Sequence, residues 1–89
     1  MTGHIVPNLW FNRNAEEAVD YYVSVFENSR IVKKEYYPKE ADALLDFQKD
    51  FAGRVLTVEY ELNGQRFVAI NAGSEFTLSE AVSFMVPCN

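Results

Sequence analysis

The stretch LTVEYELNGQRFVAINAG, Leu56 to Gly73, admits few folds. Asn-Gly is the strongest short hairpin turn, because both residues tolerate the positive φ its two central positions need. Asn63-Gly64 therefore joins two antiparallel strands, and a two-residue loop fixes their register. That register puts Leu62 against Gln65, Tyr60 against Phe67, Val58 against Ala69 and Leu56 against Asn71. On the other face Glu61 meets Arg66, Glu59 meets Val68 and Thr57 meets Ile70. The first face is apolar, with Leu56, Val58, Tyr60 and Phe67, and needs cover. The second mixes charges with aliphatics. It is either solvated surface or the lining of a cavity.

The cover lies in NAEEAVDYYVSVFENS. Ala15, Ala18, Val19, Tyr22, Val23 and Phe26 recur at the spacing of one helix stripe. Asn14 suits the N-cap, and Glu17 three residues on completes a capping-box-like pattern. Glu16 and Glu17 favour the positive end of the helix dipole. Asn28-Ser29 supplies the stop. Before the helix, HIVPNLWF (His4 to Phe11) reads as a strand. Leu9 and Phe11 point one way, and Val6, Asn8 and Trp10 the other. Pro7 has no N–H for a ladder bond, so one position there is irregular or at an edge. After the helix, RIVKKEYY (Arg30 to Tyr37) reads as a strand ended by Pro38. In KEADALLDFQKDFAG, Ala41, Leu44, Leu45 and Gln48 fit a short helix. AVSFMVPC, Ala81 to Cys88, reads as one more strand.

Eighty-nine residues make one small domain. The net charge of −5, with no Lys/Arg cluster, makes nucleic acid and anionic membrane surfaces poor partners. Cys88 is the only cysteine, which excludes a disulfide within the chain and a thiolate metal cage. It reads as a reduced, partly buried thiol. No leader peptide or membrane span is visible, and the cytoplasm is the expected compartment. No Ser/His/Asp spacing, no His near Cys88 and no phosphate-cradling glycine loop stands out.

LWFNRNAEEAVDYYVSVFENS, LTVEYELNGQRFVAINAG and EAVSFMVPC, in that order, closely resemble one branch of the vicinal oxygen chelate superfamily. The branch is the demethylubiquinone-methyltransferase-like (PhnB-like) one. The superfamily also holds glyoxalase I, bleomycin- and fosfomycin-resistance proteins and extradiol dioxygenases. The resemblance implies an α+β fold built from βαβββ modules, usually two per chain, whose sheets curl around a cavity. Residues 1–79 match one module with a short helical insertion. Residues 80–89 match the first strand of an otherwise missing second module. Methyl transfer is not implied. An S-adenosylmethionine enzyme normally needs a glycine-rich strand-to-helix turn, which this chain lacks, and no cofactor is expected.

In that fold the helix covers one sheet face and the cavity lies on the other. The resemblance therefore makes Asn8, Trp10, Thr57, Glu59, Val68 and Ile70 candidate cavity lining. Each has a plainer reading. Trp10 is either a stacking wall or core. Glu59 is either ligand-related or a solvated or paired carboxylate. Glu61 and Arg66 read as a cross-strand ion pair. Metal-dependent members place a His on the first strand and a Glu on the fourth. Those places fall near Val6 and Val68, which cannot ligate, and His4 with Glu59 is the only substitute. No metal is expected. Three readings follow: a small-molecule binding domain or metal-independent enzyme; a non-catalytic dimerising scaffold; and, disfavoured, a metal-dependent enzyme. The bare sheet face and its open edges point to a homodimer, paired through the sheet and the strand from Ala81 to Cys88, with the cavity at or beside the interface.

Overall fold

The computed structural model describes residues 3–40 and 51–87. The helix expected around Ala41, Leu44, Leu45 and Gln48 lies outside the described residues, as does Cys88. The elements are β1 (Asn8–Asn12), α1 (Ala15–Val25), β2 (Arg30–Tyr36), β3 (Val55–Leu62) and β4 (Gln65–Ala72). They form an α+β unit with one four-stranded sheet in the order β1-β4-β3-β2. β1 runs parallel to β4, and the other two neighbour pairs are antiparallel.

The hairpin follows its turn. Asn63 and Gly64 take φ of 49° and 86°, the left-handed conformations this two-residue loop requires. The β3–β4 ladder runs from Leu62–Gln65 to Thr57–Ile70, in the predicted register. It stops short of the predicted Leu56–Asn71 pair. The cause lies on the other side of β3. Between Glu35 and Tyr36 the β2–β3 register shifts, so that Tyr36 pairs with Val55 and Leu56 is passed over. Such a bulge re-aims the residues beside it. Val55, not Leu56, therefore joins the core.

That core is Phe11, Ala15, Val19, Val55, Val58, Tyr60, Phe67 and Ala69, with Leu9, Ala18, Tyr22, Val23, Ile31 and Leu62 packed against it. It is the predicted helix stripe seated on the apolar sheet face. Tyr60 and Phe67 stack with ring centroids 5.5 Å apart. The helix start differs from expectation. Asn14 makes no side-chain cap hydrogen bond. Its φ of −123° and ψ of 26° lie outside the β region from which an N-cap side chain reaches back to the first turn. Instead Asn71, buried on β4, accepts the Ala15 N–H at its Oδ1 at 3.2 Å. Its Nδ2 donates to the Val55 carbonyl at 2.9 Å, and its own carbonyl accepts the Tyr37 hydroxyl at 2.9 Å. α1 ends at Val25, before the expected Asn28-Ser29 stop, with Phe26 extended at its C-cap and Asn28 at φ 53° beyond.

One predicted strand is shortened, and another has no ladder partner among the described residues of the single chain. β1 begins at Asn8 rather than His4, because Pro7 offers only its carbonyl, which accepts the Val68 N–H at 2.9 Å. Residues 81–87 form no strand. A strand needs a ladder partner for its backbone groups, and no described strand pairs with this segment. Its Phe84 ring instead stands edge-on to Phe67 at 5.5 Å.

Candidate functional site

Side chains alternate along strands, so register decides which residues share a face. β1 places Asn8 beside Val68 and Trp10 beside Ile70. β3 places Glu59 against Val68 and Thr57 against Ile70. The six residues singled out in the sequence therefore share one sheet face, the one turned away from α1. Five are half-buried and Asn8 is exposed. Trp10 is held in place by the loop after β4. Its indole Nε1 donates to the Gly73 carbonyl at 2.9 Å, and the Phe76 ring meets it edge-on at 5.0 Å.

Charged side chains flank this patch. Arg66 reaches Glu61 at 3.2 Å and Glu59 at 3.7 Å. Arg30 also contacts Glu61, at 3.3 Å. Hydrogen bonds from Arg66 and then Arg30 hold the Glu61 carboxyl below the usual glutamate range. Lys33 pairs beside Glu59 in the register and binds Glu35 at 2.9 Å. The Glu61–Arg66 pair was legible from the hairpin alone. Arg30 and Lys33 were not, because β2 and β3 are separated by a connection too long to set their register. Glu59 belongs to the ion-paired row and also borders the aliphatic patch.

The described residues at the places the resemblance marks for ligands do not suit a metal. Val6 and Val68 carry no ligating atom, and the residue beside Val68 is Asn8, a neutral amide. His4 is exposed and precedes β1. Two clefts lie away from the six residues. One, of about 680 Å³, opens on the α1 side between Leu9, Tyr22, Leu62, Phe67 and Phe84. The other, of about 410 Å³, lies near Arg13, Glu16, Arg54 and Asn71.

The order β1-β4-β3-β2, with one helix on one face, is the βαβββ arrangement the sequence motifs suggested. Residues 3–89 match the family model described as 3-demethylubiquinone-9 3-methyltransferase. The chain belongs to that family. Its structural likeness is to a PhnB protein from Bacillus cereus, with TM-score 0.71 and 31% identity over 91% of this chain and 59% of that one. A protein from Staphylococcus aureus is also similar, with TM-score 0.55 and 37% identity over 76% of this chain and 48% of that one. This chain thus spans between about half and three-fifths of the length of those neighbours. Among curated proteins none matches. Family, fold and module type agree with the glyoxalase-like branch of the vicinal oxygen chelate proteins.

Proposed function

We propose that this chain is a glyoxalase-like small-molecule binding domain that works without a metal and holds its ligand against the sheet face turned away from α1. The observation that carries this reading is the composition of that face. The half-buried Trp10, Val68 and Ile70 offer apolar contact, and Asn8, Thr57 and Glu59 offer a few polar groups on its border. Mostly apolar lining with a small number of placed polar groups is the usual make-up of small-molecule sites. Thr57 and Asn8 can donate to a ligand oxygen. Glu59 can accept from a ligand donor, because Arg66 stands 3.7 Å away and only partly engages it. Methyl transfer is not proposed, since no glycine-rich strand-to-helix turn is available to hold the methyl donor.

A site on one open sheet face needs a cover. A second copy of the chain supplies it in this proposal, meeting the first through the same face. The cytoplasm is the proposed compartment. Among the described residues no helix is long and apolar enough to cross a membrane. A non-catalytic scaffold is the second reading, favoured by the ion pairs that already engage Glu59 and Glu61.

Fragment screening by amide chemical-shift mapping, run beside sedimentation at micromolar concentration, tests the proposal. A ligand that perturbs Trp10, Thr57 and Val68 in a dimeric sample supports it. A compact monomer would overturn the pairing. A dimer whose face is packed shut and binds nothing would favour the scaffold.

A further inference from the structure

We propose that the apolar cleft between α1 and residues 84–87 is a second binding site, for a small uncharged molecule with one hydrogen-bond acceptor, whose donor is the Tyr60 hydroxyl. This cleft lies on the opposite side of the sheet from the face discussed above, and the proposal does not rest on that reading. Its volume of about 680 Å³ is in the range of small-molecule sites. Its walls are Leu9, Tyr22, Phe26, Leu62, Phe67 and Phe84, with the amides Asn63 and Gln65 among the other lining residues and no charged side chain. An ionised ligand would lose its hydration there without recompense.

Tyr60 gives the cleft its polarity. The residue is 0% exposed, yet its hydroxyl has no hydrogen-bond partner among the described residues. Buried hydroxyls nearly always have a partner, so an orphan calls for a reason. Burial, with Tyr22 adding to it, pushes the phenol up to about 12, so at neutral pH it is a donor and not an anion. An incoming carbonyl or ether oxygen would satisfy it. The wall best able to yield is the segment holding Phe84, which lies outside any helix or strand and is 52% exposed. The Phe84 ring meets Phe67 edge-on at 5.5 Å, beside the ring that stacks on Tyr60. A flat molecule displacing Phe84 would keep the aromatic contact with Phe67 and reach toward the hydroxyl.

The test uses two probes of matched shape, 2-acetylnaphthalene and 2-ethylnaphthalene, titrated into the full chain and into Tyr60→Phe with amide shifts as readout. The ratio of ketone to hydrocarbon affinity should fall by about three- to tenfold in Tyr60→Phe, the loss of one hydrogen bond. Shifts should centre on Leu9, Leu62 and Phe67. Phe84→Ala should tighten both probes alike, because the ring they must displace is gone. An unchanged ratio overturns the proposal, as do shifts centred on Thr57 and Val68, or no binding at all. Probe affinity that falls as protein concentration rises also overturns it, since a second copy would then occupy the cleft. Should Tyr60→Phe not fold, the wild-type shift map and the Phe84→Ala result still decide.

Discussion

The side-chain oxygen of Asn71 accepts the backbone N–H of Ala15 at 3.2 Å, so the first turn of α1 is secured from β4 across 56 residues of chain. The same amide donates to Val55, and the same residue's carbonyl holds Tyr37. One buried side chain thus joins the helix start, the bulged end of β3 and the end of β2. Asn71→Ala should cost about 1–3 kcal/mol, because it leaves buried backbone groups unpaired. Asn14→Ala should cost under about 0.5 kcal/mol, as an ordinary surface change does. Urea unfolding of both variants checks the ordering, and a larger cost at Asn14 would mean the helix is capped locally.

The two sheet faces should differ sharply in tolerance. Tyr60→Ala or Phe67→Ala should destabilise by roughly 3–5 kcal/mol, since a buried aromatic loses transfer energy and leaves a cavity. Glu59→Gln should cost under about 1 kcal/mol. Thermal melts with equal losses on both faces would contradict the assignment of the core.

Acid should weaken the β2–β3–β4 ion pairs through Glu61. The Glu61 carboxyl is lowered in the folded chain by Arg66 and Arg30. A depressed carboxylate stabilises the fold above its unfolded pKa and loses that contribution as pH falls through its folded one. Carboxyl NMR titration should therefore find Glu61 protonating below the usual glutamate range. Arg66→Ala should move it back up, and added salt should shrink the difference.

Alkali tests the burial of Tyr60. Its phenol is raised to about 12 in the folded chain, from an ordinary value of 10.0. The folded state then holds a proton that the unfolded state has lost, so stability falls as pH rises from the ordinary value towards about 12. Burial raises Tyr37 as well, so ultraviolet titration should show these two tyrosines ionising late, and Tyr60→Phe should reduce the late amplitude without abolishing it.

As purified, the chain should hold no stoichiometric divalent transition metal, because valines stand at the ligand places. Elemental analysis near one Zn, Ni, Mn or Fe per chain would contradict this.

Read by itself, the sequence determined whatever depends on near neighbours. A two-residue Asn63-Gly64 turn leaves one register, and one register sorts every residue from Thr57 to Ile70 onto a face. The 3.6-residue stripe from Ala15 to Val23 likewise names its own buried side. The apolar face needs the apolar stripe, so the far side bearing Thr57, Glu59, Val68 and Ile70 followed from the hairpin, and Trp10 joined it through the family resemblance. Only tertiary structure decided the rest, because it depends on residues far apart in the chain. Asn14 has the right chemistry for a cap, but its backbone conformation removes it and Asn71 arrives from β4. Leu56 has the right parity for the core, but the shift against β2 hands the place to Val55. Residues 81–87 have strand composition, but a strand exists only where another offers its hydrogen bonds.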